Sequence, residues 1–441
     1  MKFRKLNFFA TILTAAAAAS VPAVAQASSM VGATDMREAR IVSVDSEAGA
    51  DRAVCEVFPK GAAAEAKEHA AESRARLNAA TVSKFRIHSL TPSTEYEYRI
   101  KIDGKAVSKG SFKTSPDYEG RTPPPDFSFI AAGNQFTNEK EFDAPFRTNG
   151  GGYEIFSEIR KSAPSFVIWA DNIDTARNAD FGSQSGMNAR YLGAVAQPGL
   201  SDLLSAQPNY GVLGIKTFAR SNEDSSASSA PRALGAFKAF WANPESALKD
   251  SAAYSFKYSD AEFFVLDDCS DRSLLDHGKE TPRFLGERQM KWLKSALQNS
   301  TAKFKFIVIN SPAANPVNSP AHFKHSRERD ELVSFLTEKK ISGVIFISAN
   351  KDYGEVTKLV RAGAYPIYDF TVPPLTGRPA KEAQELNFFR LPSSGIFQRG
   401  FAKFTVEGPE DARAVNVAIF GTDGTRLFNM TLAQSELTGE K

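Results

Sequence analysis

Phe166-Val-Ile-Trp-Ala-Asp-Asn-Ile-Asp174 is an unbroken apolar run that stops abruptly at Asp171, Asn172 and Asp174. A short run of β-branched and aromatic residues reads as a buried strand. Open α/β sheets bind ligands beyond the carboxyl ends of their strands, so the polar residues read as the mouth of a site. Three other stretches share this pattern: Phe127-Ser-Phe-Ile-Ala-Ala-Gly-Asn134, Phe304-Lys-Phe-Ile-Val-Ile-Asn-Ser311 and Gly343-Val-Ile-Phe-Ile-Ser-Ala-Asn-Lys-Asp352. Helix-period segments lie among them, at Tyr153–Arg160, Leu285–Leu297 and Arg327–Lys340. The alternation predicts a layered α/β domain over residues 127–435. A strand pair is expected at Tyr254–Tyr258 and Ala261–Asp267, and closing antiparallel strands at Phe401–Val406 and Val415–Phe420.

Upstream, residues 28–116 predict a small β domain. Ala39–Val44, Thr81–His88 and Tyr96–Ile102 alternate like strands, and Asp103-Gly104 marks a tight turn. Leu90-Thr-Pro-Ser-Thr-Glu-Tyr-Glu-Tyr98 resembles the signature of a fibronectin type III-like sandwich. Ala62–Leu77, rich in Ala and charge, is expected to be a helix-prone surface insert; His69 within it and His88 are given no role. Residues 117–126, with Thr122-Pro-Pro-Pro125, read as a linker. Ser221–Pro231 is polar, small and low in complexity.

A chain of 441 residues exceeds one ordinary domain, and 42% hydrophobic with 24% charged residues is the balance of a soluble globular protein. Its first 27 residues differ. Lys2, Arg4 and Lys5 precede an apolar run from Phe8 to Ala19, closed by Ala25-Gln-Ala27. This is the pattern of a secretory signal peptide, which places the mature protein outside the cytoplasm, secreted or periplasmic. The run is too short to span a bilayer, and no transmembrane segment is expected after cleavage. Removing the three basic residues takes the formal charge from +3 to zero. No net field then draws the protein to nucleic acid. Cys55 and Cys269 fall in different expected domains and are read as free thiols.

Further stretches carry a family resemblance: Gly150-Gly-Gly-Tyr-Glu-Ile-Phe156, Gly186-Met-Asn-Ala-Arg-Tyr191, Phe240-Trp-Ala-Asn-Pro244 and Phe263-Phe-Val-Leu-Asp-Asp268. Leu285-Gly-Glu-Arg-Gln-Met-Lys-Trp-Leu293, Arg327-Glu-Arg-Asp-Glu-Leu332 and Tyr368-Asp-Phe-Thr-Val-Pro-Pro-Leu-Thr376 continue it. The chain resembles the alkaline phosphatase D (PhoD-like) family of metallophosphoesterases. The resemblance implies an N-terminal β-sandwich and a four-layer αββα domain. It also implies an iron and calcium pair that hydrolyses phosphomonoesters or phosphodiesters.

Two such cations clamp phosphoryl oxygens and lower the pKa of a bound water, so carboxylates, amides and imidazoles must converge at the strand ends. The family's ligand motifs are altered in this chain. Its Ser-Cys becomes Gly133-Asn134, with Asp143 a counterpart for the Asp that often follows. Its Gly-Asp-x-x-Tyr becomes Ala170-Asp-Asn-Ile-Asp174, keeping Asp171 but placing Asp174 at the Tyr. The loop that carries Trp-Asp-Asp-His aligns on Leu213-Gly-Ile-Lys-Thr217, so Gly214, Ile215 and Lys216 stand where carboxylates and imidazole are expected. Its Ser-Gly-Asp-x-His becomes Ser348-Ala-Asn-Lys-Asp352.

No imidazole or thiolate remains at a strand end, so iron or zinc has lost its preferred partners. Lys216 would repel a cation or pair with Asp171 in its place. The expectation is a non-catalytic ligand-binding or structural envelope protein that has lost the iron/calcium pair. Its ligand would be phosphorylated or an envelope component. In the alternative, Asp171, Asp174, Asn350, Asp352 and Asp143 hold a single Ca²⁺ or Mg²⁺ for residual phosphoesterase activity. Asn172, Lys216, Lys351 and Arg272 are the candidate substrate contacts. His322-x-x-His325 is read as a surface loop.

Overall fold

The computed structural model describes residues 27–46, 49–220, 223–273, 283–314, 327–383 and 386–438. The expected leader, apart from Ala27, and the His322/His325 pair lie outside them.

Eight strands come first: β1 (Ser28–Thr34), β2 (Ala39–Asp45), β3 (Val54–Pro59), β4 (Lys67–Ala70), β5 (Ser73–Leu77), β6 (Ala80–Ile87), β7 (Glu95–Ile102) and β8 (Lys105–Lys113). They form two antiparallel four-stranded sheets, ordered β1-β2-β6-β5 and β4-β3-β7-β8. The period of two along β7 turns Tyr96, Tyr98, Ile100 and Ile102 inward, against Ile41, Phe85 and Ile87 of the other sheet. Asp103 and Gly104 take φ of 49° and 78° at the turn into β8, as a two-residue hairpin loop requires.

The helix expected over Ala62–Leu77 is absent: β4 and β5 occupy that stretch. Backbone pairing with β3 and β6 outweighs helix propensity there. Both are edge strands with mostly exposed side chains, so their charged composition reads as a solvated surface in either conformation.

The larger part holds two six-stranded sheets. The first is built from β9 (Phe127–Ala132), β10 (Phe166–Trp169), β11 (Asn209–Gly211), β18 (Gly400–Glu407), β19 (Ala414–Gly421) and β20 (Arg426–Ala433), ordered β11-β10-β9-β18-β19-β20. The second comprises β12 (Tyr254–Tyr258), β13 (Ala261–Val265), β14 (Phe304–Val308), β15 (Val344–Ser348), β16 (Glu355–Arg361) and β17 (Ala364–Thr371), ordered β12-β13-β14-β15-β17-β16. The expected strand pair and closing strands are present, with β20 added beyond them.

Alternation along β9 and β10 sorts the layers. Phe129, Ala131, Phe166 and Ile168 face the second sheet; Ile130, Ala132, Val167 and Trp169 face helices. Those helices are α1 (Ile155–Lys161), α2 (Gln184–Val195), α3 (Leu200–Leu204), α4 (Ile215–Phe218) and α5 (Ala230–Phe240). On the far side, α6 (Gly286–Asn299) and α7 (Arg327–Glu338) cover the second sheet, completing four layers. Phe129 is the centre of the inter-sheet core. Its ring stacks on Phe166 at 5.2 Å and Phe404 at 4.9 Å, and meets Phe263 and Phe306 edge-on at 5.0 and 5.1 Å.

The N-terminal sheets pack against the helical layer. Gly32 lies so close to Ala242 that a Cβ could not fit, and the Ala33 amide donates to the Ala242 carbonyl at 2.8 Å. No helix among the described residues is long and apolar enough to cross a membrane. Phe129→Ala should leave a cavity between the sheets and cost about 3–5 kcal/mol, read as a lower denaturation midpoint in urea with little change in slope.

Candidate functional site

The carboxyl ends of β9, β10, β14 and β15 and the turn into α4 meet at one edge of the paired sheets. Asn310, just past β14, joins them. Its amide nitrogen donates to Asp171 Oδ1 at 2.7 Å and to the Ala170 carbonyl at 3.0 Å, while its oxygen accepts the Ile215 amide at 3.1 Å. Gly214 is required by this approach, because a Cβ there would lie 2.5 Å from Asp171 Oδ1.

Asp171 is 1% exposed, and its Oδ2 has no hydrogen-bond partner among the described residues. Burial pushes its carboxyl up to about 6, a rise opposed by Lys216 and Asn310. Lys216 Nζ stands 4.0 Å from Asp171 Oδ2 and 3.1 Å from Asp352 Oδ1. Asn134 Nδ2 donates to the same Asp352 oxygen at 2.8 Å. The strand ends therefore gather Asp171, Lys216, Asp352, Asn134 and Asn310 into one cluster.

The other sequence candidates are engaged elsewhere. Asp174 Oδ1 receives Arg190 at 2.7 Å and the Thr137 and Thr175 amides at 3.1 and 2.8 Å. Asp143 pairs with Arg177 at 2.7 Å, and Glu139 bridges Arg177 and Arg190 at 3.0 and 3.3 Å. Burial raises the carboxyls of Asp174 and Glu139, and lifts Asp180 to about 6. Phe136 lies under both guanidinium groups. This buried ionic network braces the loop after β9 against α2.

Asn172 is saturated: its amide nitrogen donates to Tyr191 and Thr217, each at 2.9 Å, and its oxygen accepts Ile173 N and Trp241 Nε1. It thereby ties β10 to α2, α4 and the residue ending α5. Lys351 is buried and donates to Glu355 at 3.0 Å and Tyr353 at 2.9 Å. Arg272 is buried with its guanidinium over the Phe284 ring. Asn350 has a left-handed backbone, φ 55°, shared by Asn134 at 47° and Asn172 at 61°. Asparagine tolerates that conformation, so three strand ends turn in the same way.

Sequence reading passed over Asn310, although it follows an apolar strand as Asp171 does. It also passed over Asp268 and Asp369. Asp268 is fully buried and accepts the Ser311 amide at 3.0 Å; Asp369 accepts Ala313 and Ala314 amides at 2.7 and 2.9 Å. Asp268 ends the matched Phe263–Asp268 stretch, and Asp369 is masked by its place inside β17. Cys55 and Cys269 are both buried free thiols.

A pair of divalent cations does not fit this residue set. Two metals need several anionic or imidazole donors around one point. The cluster offers one buried carboxylate, one half-exposed carboxylate, two amides and an ammonium group. Among the described residues, no group of three or more His, Cys, Asp or Glu side chains is arranged to hold a metal. A cation beside Asp171 Oδ2 would also lie against Lys216.

Residues 216–410 match the family model of the PhoD-like phosphatases. The solved structure of PhoD superimposes with a TM-score of 0.70 at 15% identity, over 91% of each chain. The purple acid phosphatase PPD1 from yellow lupin (Lupinus luteus) seeds gives 0.69 at 12% identity, over 92% of this chain and 74% of that one. No curated protein sequence matches the chain.

Two outcomes test the electrostatics. The folded state holds the Asp171 carboxyl above its ordinary value of 3.8, so it binds a proton more tightly than the unfolded chain does. That contribution is complete below pH ~4 and is lost as pH rises through about 6. Asp171→Asn, which stays uncharged like the protonated carboxyl, should escape that loss, gaining up to about 3 kcal/mol over the wild type at pH 7.5 and little at pH 3.5, measured by denaturant unfolding. Asp174→Ala, in contrast, removes the shortest of the carboxylate contacts of Arg190 while Glu139 and Asp180 remain beside it, and should cost about 1.5–3 kcal/mol at pH 7 in the same measurement.

Proposed function

We propose that this PhoD-like metallophosphoesterase homologue has kept the hydrolase fold and works as a non-catalytic ligand-binding or structural protein of the cell envelope. The observation that carries the reading is Lys216: its ammonium group stands between Asp171 and Asp352, at 4.0 and 3.1 Å. A fixed positive charge there offsets the buried carboxylate, the task that a bound cation would otherwise perform. Asn134, Gly214 and Ile215 add no anionic donor, and Asn172 is occupied in bracing helices. The reading includes cleavage of residues 1–27, a secreted or periplasmic location, and a sandwich of residues 28–116 as a separate domain. The bound component would carry an oxyanion, such as a phosphorylated ligand or an envelope constituent.

A second reading has one specific observation in its favour. Asp171 Oδ2 is buried and has no hydrogen-bond partner among the described residues. If Lys216 swung outward, that oxygen together with Asp352 and the Asn134 and Asn350 amides could hold a single Ca²⁺ or Mg²⁺. Residual phosphoesterase activity would then depend on that ion.

Hydrolysis of nitrophenyl phosphate and bis-nitrophenyl phosphate separates the two. Under the first reading, added Ca²⁺, Mg²⁺, Fe³⁺ or Zn²⁺ leaves the rate at the level of Asp171→Ala protein. Metal-dependent turnover that Asp171→Ala abolishes would establish the second.

A further inference from the structure

Asp352 is the most exposed charged side chain of the cluster. Its side chain is 46% exposed, while Asp171 is fully buried. Among the described residues only its Oδ1 is held, by Lys216 at 3.1 Å and Asn134 at 2.8 Å. Those two donors come from different elements, the first turn of α4 and the end of β9, and converge on a single oxygen. The backbone of Asp352 is fixed independently, its carbonyl accepting the Ala380 amide at 2.7 Å. The carboxylate can therefore swing out with no other hydrogen bond to the described residues broken.

From this geometry we infer that Asp352 is a tethered stand-in for a ligand: Lys216 and Asn134 form an oxyanion cradle that Asp352 fills when no ligand is bound. An ammonium and an amide N–H aimed at one point bind an anionic oxygen by charge-assisted hydrogen bonds. The charge balance selects the ligand class. Asp171, Lys216 and Asp352 together carry one net negative charge when all are ionised. Exchanging the Asp352 carboxylate for another single-charge oxyanion leaves the charge inside the cradle unchanged. A doubly charged phosphomonoester would add a second charge facing Asp171. The cradle thus suits a monoanion, either a carboxylate or a phosphodiester. This inference rests on the non-catalytic reading, in which Lys216 stays in the cluster.

Binding of dimethyl phosphate, acetate and methyl phosphate at pH 8 tests it, by calorimetry on full-length protein in chelator-containing buffer. Asp352→Ala should bind dimethyl phosphate or acetate about fivefold more tightly than the wild type, the strength of a half-exposed ion pair that no longer competes. Whichever of the two binds more tightly identifies the source class. Lys216→Met should abolish the gain in the Asp352→Ala background, and Asp352→Asn, which keeps the side-chain shape, should reproduce part of it. Equal affinity in wild type and both Asp352 variants would overturn the inference, as would binding that survives Lys216→Met or tighter binding of the dianion methyl phosphate. Hydrolysis is a separate readout. Metal-dependent turnover sinks the non-catalytic reading, whereas absent turnover with no Asp352-dependent binding sinks the cradle alone.

Discussion

A buried carboxylate must be neutralised, and how Asp171 meets that constraint shapes the whole strand-end face. Its surroundings leave it two sources of compensation, the Asn310 amide and the Lys216 ammonium. Asn310 reaches it only because the two sheets are closely packed, with β14 opposite β9 and the aromatic stack around Phe129 between them. Lys216 reaches it only because Gly214 lets the turn into α4 close over the carboxylate. Packing in the core thus sets the electrostatics at the edge.

The neighbouring Asp174 resolves the same problem differently. Its Oδ1 takes a guanidinium group at 2.7 Å and two backbone amides, a closer and more numerous set of donors than Asp171 has. Asp171 and Asp174 lie three residues apart on one loop, yet one contributes to the open cluster and the other to a closed brace. The left-handed turn at Asn172 points them in different directions. Asn172 holds that turn through four hydrogen bonds to Ile173, Tyr191, Thr217 and Trp241.

Much of this was legible in the sequence. Apolar runs closed by polar residues located β9, β10, β14 and β15, and the alternation of elements gave the layered architecture. Lys216 beside Asp171 followed from matching one loop to the family pattern. What stayed hidden depended on partners distant in the chain. The partition of four aspartate candidates, Asp171 and Asp352 into the cluster and Asp174 and Asp143 into the brace, is decided by Arg177 and Arg190, which no strand-end motif contains. Asn310 was visible as a residue but not as the link between sheets. The strands at Lys67–Ala70 and Ser73–Leu77 were misread because their composition favours helix while their backbone is claimed by β3 and β6.

The pairing of β9 with β18 carries a consequence of its own. Phe129 sits opposite Phe404, so β9 gains its second neighbour only from a strand far along the sequence. Such distant contacts make nucleation slow, since a long loop must close before the pairing is rewarded. A ribosome would have to release β18 as well as β9 before this sheet could close. Any machinery that requires an extended polymer, whether a chaperone or a translocation pore, would therefore have the full duration of synthesis in which to engage it.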